Sequence, residues 1–228
     1  MVLSVVIPVY NEANHLGACL TQLHRYASVD TEIIVVDGGS ADQTCAIAQQ
    51  AGAKLINSSV RSRSAQMNLG ARVAKGTILF FVHADTIVPP AYPELILQAL
   101  KSWDMGNFRY KFDSPSRLLA FNAYFTRYPW LVCQGGDKTF FISKKDFFDL
   151  GAYDERHIIM EEYDFILRAR QAGRTLFTFP HLCTVSARKY QENSWLKIQL
   201  INLVVYNLWR WKWMKPEDLR NLYRRWLH

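Results

Sequence analysis

Four times in its first hundred residues this chain repeats one unit. A short, mostly apolar run is followed by a polar break, and then by a helix-like segment. Residues 3–9 form the first run, rich in Val and Ile with little alternation of polar and apolar positions. Such a run suits a strand buried on both faces. Leu16, Cys19, Leu20 and Leu23 then recur at i, i+3, i+4, i+7, which is one face of a helix. Runs at 33–36, 53–57 and 77–82 predict three further strands. Helices are expected over the Ala-rich segment that stops at Gly52, over 63–75 and over 89–103. This alternation predicts an α/β fold, a mostly parallel sheet flanked by helices.

The second half is less regular. Strands are expected at 108–112, 139–142, 175–179 and 184–187, and helices at 118–132 and 161–172. Two more helices finish the chain as a helical tail, the last with Leu219, Leu222, Tyr223 and Trp226 on one face. With 228 residues, half of them apolar, the chain suits one domain over 1–228.

Open parallel sheets bind ligands outside the carboxyl ends of their strands. The unusual polar residues fall there: Tyr10-Asn11-Glu12, Asp37-Gly38-Gly39-Ser40 and His83-Ala84-Asp85. Neither a G-x-G-x-x-G after the first strand nor a G-x-x-x-x-G-K-[ST] is present. A bound diphosphate would therefore need a metal or basic side chains to balance its charge.

Composition narrows the partners. The net charge of +7 points to something anionic. The basic residues are dispersed and no recognition motif appears, so no nucleic acid is expected. Four scattered cysteines without C-x-x-C spacing suggest neither a zinc site nor a disulfide framework. The N-terminus has no basic n-region or small-residue cleavage site, and no apolar stretch reaches the ~18–20 residues that span a bilayer. The expected location is cytoplasmic, with peripheral contact at the inner face of the membrane as the alternative.

An ordered set of motifs carries a family resemblance: Pro8-Val9-Tyr10-Asn11-Glu12, Val36-Asp37-Gly38-Gly39-Ser40-x-Asp42-x-Thr44, Arg63-x-x-Gln66-Met67-Asn68-x-Gly70-Ala71, His83-Ala84-Asp85-Thr86 and Met160-Glu161-Glu162. The set resembles family 2 glycosyltransferases of the Rossmann-like GT-A fold. It is most similar to a small bacterial branch whose D-x-D motif reads H-A-D. The resemblance runs from Ser4 to about Arg188. It implies a nucleotide-binding half at 1–85, an acceptor-binding half at 86–190 and the tail at 191–228. It also implies an inverting transfer of a sugar from a nucleoside-diphosphate sugar, UDP-linked, to an acceptor hydroxyl.

The expected donor site comprises Pro8, Tyr10, Glu12, Asp37, Gly38, Arg63, Asn68, His83, Asp85 and Arg188. The Tyr10 ring can cover a base, and a carboxylate at Glu12 or Asp37 can accept a base N–H. Glu12 could instead serve the helix that begins near Ala13. Gly38 and Gly39 permit a turn closed to other residues. Asp42 and Thr44 serve a helix start rather than the ligand. Gln66 is read as a nucleotide-facing or a surface residue. Asp85 and His83 are the expected ligands of a divalent cation, Mn²⁺ or Mg²⁺, which wants oxygen donors and takes part of its shell from phosphates. The triplet ends the fourth strand, where alternation places His83 and Asp85 on one side. Glu162 or Glu161 is the expected general base, although acidic residues are also common in a first helical turn. Gly136 and Asp137 resemble the family's acceptor-side segment, where Lys138 stands in place of Gln.

Trp195, Trp209, Trp211 and Trp213 lie among Lys197, Arg210, Lys212 and Lys215. Membrane interfaces select such mixtures. A helix apolar nearly all round is more often buried, so packing within the domain or a homodimer is expected first. The alternative functions are a polyprenyl-phosphate glycosyltransferase at the membrane surface and a non-catalytic nucleotide-sugar-binding protein.

Overall fold

The computed structural model describes residues 2–227. Its elements, in chain order, are β1 (Leu3–Val9), α1 (Ala13–Tyr26), β2 (Thr31–Asp37), α2 (Thr44–Gln50), β3 (Lys54–Asn57), α3 (Arg63–Val73), β4 (Ile78–Phe81), β5 (Thr86–Ile87) and α4 (Tyr92–Ala99). There follow β6 (Met105–Phe112), α5 (Arg117–Phe125), β7 (Phe140–Ser143), α6 (Lys144–Asp149), α7 (Glu161–Gln171), β8 (Leu176–Val185), α8 (Lys189–Glu192), α9 (Trp195–Arg210) and α10 (Pro216–Leu227).

All eight strands join one sheet in the order β3-β2-β1-β4-β7-β6-β8-β5. β1 pairs in parallel with β2 and β4, and β2 with β3. The chain thus grows outward from β1 in one direction and then returns to place β4 on its other side. That reversal leaves a crevice at the carboxyl ends of β1 and β4, where open α/β sheets bind ligands. β7 runs antiparallel between β4 and β6. β6 and β8 are parallel, and β5 lies antiparallel on the edge.

Period-two geometry divides the buried strands between two cores. Val5, Ile7 and Val9 face α1 and α4, with Leu16, Leu20, Leu23 and Tyr92. Val6 faces α3 and α7 with Met67, Ala71, Phe147 and Phe165. A third layer sits behind α7: Ile201, Val205 and Trp209 of α9 pack with Leu219 of α10 against Tyr163 and Leu167.

Several expectations need correction. The helix expected at 118–132 ends at Phe125; a turn and a 3₁₀ turn (Leu131–Cys133) follow. The helix expected at 89–103 is the shorter α4. The two short pieces at 175–179 and 184–187 are one ten-residue strand, β8, whose pairing with β6 continues through a bulge. β4 stops at Phe81, so His83-Ala84-Asp85 forms a turn and strand alternation does not govern it. α9 is not buried all round. Ile198, Ile201, Val205 and Trp209 face inward, while Leu196, Leu200 and Leu203 face solvent.

Candidate active site

The turn after β1 brings Glu12 to the crevice. Asn11 adopts a left-handed φ of 52°, a region Asn tolerates better than most residues. Its Oδ1 accepts from Ala41 N at 2.8 Å. Glu12 N donates to Thr44 Oγ1 at 2.8 Å and Ala13 N to Asp42 Oδ2 at 3.1 Å, so Thr44 and Asp42 close the start of α1 from the next loop. The Glu12 side chain makes no capping bond and is turned to the cleft.

There Arg188, just after β8, grips it. Nη1 and Nη2 lie 2.7 Å from Oε2 and Oε1, a two-point pairing. Nη2 also lies 3.2 Å from Asp85 Oδ2. Asp85 comes from the turn after β4, on the other side of the crevice. Burial raises its pKa, with Asp137 and Glu12 adding to the effect and Arg188 opposing it.

A second cluster stands beside the first. Arg63, at the start of α3, donates to Glu161 at the start of α7, and its Nη2 lies 3.6 Å from Glu162 Oε2. Burial works against the Arg63 charge, but the two glutamates outweigh it and hold its pKa above the ordinary value. Glu161 is fully buried, and its Oε2 has no hydrogen-bond partner among the described residues. The other oxygen of Glu162, Oε1, lies 3.7 Å from His83 Nε2. Burial, reinforced by Glu161, pushes Glu162 up to about 8 despite Arg63. Burial, with Arg63 and Arg188 nearby, pushes His83 down to about 3, so a neutral imidazole meets Glu162. Met160, just before the pair, has a φ of 71°, a costly conformation for a side chain of its size.

Asp137 lies between the clusters. Its charge bears on Arg63, Glu162, Asp85 and Arg188. It makes no hydrogen bond or ion pair of its own among the described residues. Gly135 sets the spacing to α7, because a Cβ there would fall 1.7 Å from Tyr163 Cε2. Even with Glu162 holding a proton, four carboxylates here face two guanidiniums. That excess fits a divalent cation brought in with phosphates.

The other expected site residues are placed differently. The Tyr10 ring is covered by Arg61, whose Cζ lies 3.3 Å from the centroid. Asp37 is buried and accepts from Gly39 N, Ser40 N and Ser40 Oγ, so it fastens its own turn. Of the two glycines there, only Gly39 has a left-handed φ, of 92°. Asn68 engages both ends of its amide with the Tyr153 backbone and reaches Glu155. Gln66 is buried rather than on the surface, its Nε2 donating to Val9 O at 2.8 Å and Val36 O at 2.7 Å, which ties the ends of β1 and β2. Pro8 is within β1, opposite Val36. Gly136 takes a φ of 87° beside Asp137.

Two features lie outside the expected set of site residues. Lys138 is buried, with Asn107 Oδ1 and Gln134 Oε1 each 3.4 Å from Nζ, and burial pushes it down to about 7. Asp154, His157 and Asp164 bring one ligand-type atom each within 4.8 Å of the others. Arg156 and Arg168 already hold its two carboxylates.

The family model for glycosyl transferase family 2 matches residues 4–171. A PGL/p-HBAD biosynthesis glycosyltransferase of Mycobacterium bovis is 26% identical over 214 residues, which cover 82% of this chain and 77% of that one. Of another curated relative the chain spans only 40%. The mannosyltransferase PcManGT of Pyrobaculum calidifontis, solved with GDP-Man and Mn²⁺, superposes with a TM-score of 0.70 at 16% identity, covering 97% of this chain and 68% of that one. S. aureus TarS 1–349, solved with UDP-GlcNAc, gives 0.66 at 16% identity, covering 82% and 59%. Both likenesses confirm the GT-A architecture, and with the match across 4–171 the chain belongs to glycosyl transferase family 2.

Proposed function

We propose that this chain moves a sugar from a nucleoside-diphosphate sugar, UDP-linked, to an acceptor hydroxyl, with inversion at the anomeric carbon. The observation that carries the reading is the meeting of Glu12 and Asp85 on Arg188 at the β1/β4 crevice. The acid pair of α7 stands next to it. Relatives solved with UDP-GlcNAc and with GDP-Man and Mn²⁺ support a nucleotide-sugar donor of this kind.

In this reading Asp85 supplies the protein's oxygen to Mn²⁺ or Mg²⁺. His83, the other expected ligand, turns its Nε2 towards Glu162. When bound, the ion neutralises charge building on the departing diphosphate. Arg188 is positioned to exchange Glu12 and Asp85 for the diphosphate oxygens. Tyr10 exposes a ring for the base once Arg61 swings aside, and Glu12, released by Arg188, faces the nucleoside.

Glu162 takes the proton from the acceptor hydroxyl. Its raised pKa, near the working pH, suits that role. Glu161 holds Arg63, and through it the orientation of Glu162, while neutral His83 steadies Glu162 from the other side. Asp137 and Gly136 line the approach of the acceptor.

The test is release of nucleoside diphosphate from UDP-glucose, UDP-N-acetylglucosamine and GDP-mannose in the presence of Mn²⁺ and a panel of hydroxyl acceptors. Acceptor-dependent release by the wild type, lost in Asp85→Asn and Glu162→Gln, supports the reading. Donor binding without release from any acceptor would favour a non-catalytic sugar-nucleotide sensor.

A further inference from the structure

α9 is a sixteen-residue helix with two apolar stripes. The inward stripe packs behind α7. The other stripe, Leu196, Leu200 and Leu203, recurs at i, i+4, i+7 and is 54–61% exposed. The turn after α9 continues it with Trp211 and Trp213, 62% and 73% exposed. α5 shares the Tyr190 and Trp195 cluster with the start of α9, and it too leaves Leu118 and Phe121 more than half exposed. Water-facing monomer surfaces seldom keep so many large apolar side chains together.

Charge accompanies the apolar stripe. Between residues 189 and 228 there are eight Lys and Arg against three Asp and Glu. Lys197, Arg210, Lys212 and Lys215 sit within or beside the Leu and Trp positions and are exposed. Exposed Leu and Trp interleaved with Lys and Arg match the layered chemistry of an acidic membrane surface, with apolar groups below the headgroups and cations among them. An open groove of about 430 Å³ adds to this. It is walled by Leu196, Leu200 and Ile201 of α9 and Trp226 of α10, with Lys197 beside them, a setting suited to part of a lipid chain under an anionic headgroup.

We propose that the outer face of α9, with the Trp211–Trp213 turn and the adjoining side of α5, docks onto an anionic lipid bilayer. No helix among the described residues is long and apolar enough to cross a membrane, so α9 lies along the surface. A second copy of the chain fits this face less well. A twofold pairing would oppose two patches that each carry the same positive excess. The docking bears on the proposed reaction, because the inward stripe of α9 supports α7, the helix of Glu161 and Glu162.

The experiment is co-sedimentation of the full chain with vesicles of phosphatidylcholine alone and of phosphatidylcholine mixed equally with phosphatidylglycerol, without donor or metal. The expected result is binding to the phosphatidylglycerol vesicles, weakened by salt. Leu200→Ser/Leu203→Ser leaves the charge unchanged and should lower partitioning by roughly tenfold or more, since each leucine contributes apolar burial. Its melting temperature should stay near that of the wild type, because neither side chain is buried. Failure to bind either vesicle, or equal binding of wild type and double variant, would overturn the proposal. So would a dimer in sedimentation equilibrium that the double variant dissociates, which would assign the face to self-association. None of these outcomes depends on sugar transfer.

Discussion

Arg188 holds Glu12 through two contacts of 2.7 Å, although 176 residues separate them in the chain. The pairing joins the end of β8 to the end of β1 across the crevice, and its 3.2 Å contact to Asp85 adds β4. It follows that Arg188 and a metal ion compete for Asp85. Arg188→Ala should therefore bind Mn²⁺ alone more tightly than the wild type, by up to roughly fivefold, the upper end for a partly exposed pair. Diphosphate binding should weaken in the same variant. Titration with Mn²⁺, with and without UDP, measures both. Unchanged Mn²⁺ affinity would mean that Arg188 does not shield Asp85.

The two glutamates of α7 should separate in their effects. Glu161→Gln removes the main partner of Arg63 and should cost about 1–3 kcal/mol of stability, moderated because Arg63 is one-third exposed and keeps Glu162 nearby. Glu162→Gln should leave the fold intact and lower kcat by about 10²–10⁴-fold with little change in donor affinity. Denaturant melts and steady-state rates distinguish these outcomes. The reverse pattern would make Glu161 the base.

The pH dependence follows from Glu162. Its folded pKa of about 8 lies above the ordinary 4.5. The base must be ionised, so kcat/KM should rise about tenfold per pH unit and level off above about pH 8. For stability, the folded state keeps a proton that the unfolded chain loses between these values, so this group makes wild-type stability fall as pH rises through that window. Glu162→Gln removes the term. Its advantage in melting temperature over the wild type should be larger at about pH 8.5 than at about pH 5. An advantage that does not change with pH would contradict this origin.

Lys138 has the opposite sign of slope. Its folded pKa of about 7 lies below the ordinary 10.5. Burial of the ammonium is therefore a full penalty below about pH 7, and the penalty fades as pH rises towards 10.5. Lys138→Gln should raise the melting temperature most near pH 6 and least near about pH 9.5. A destabilised variant would show that the contacts of the ammonium with Asn107 and Gln134 outweigh the cost of its burial.

Much of this was legible in the sequence. The buried runs at β1, β2 and β4 placed Glu12 and Asp85 at strand ends because an unbroken apolar run has few alternatives to a central parallel strand. The rest depended on contacts remote in sequence. Arg63 meets Glu161 from 98 residues away. Gln66 read as a nucleotide-facing or a surface residue, but a helix pressed against two strand ends needs a donor for their carbonyls. The H-A-D turn misled strand alternation, since β4 stops one residue short of Val82. α9 has apolar residues on nearly every side, and periodicity cannot tell which stripe is covered.

The most direct test of the central claim is calorimetric titration with UDP, GDP, CDP and ADP, each with and without Mn²⁺, for wild type and Asp85→Asn. The account predicts that UDP binds, that Mn²⁺ strengthens its binding, and that Asp85→Asn abolishes the Mn²⁺ effect while melting normally. Absence of binding by any nucleotide, or an Mn²⁺ effect that survives in Asp85→Asn, would contradict it.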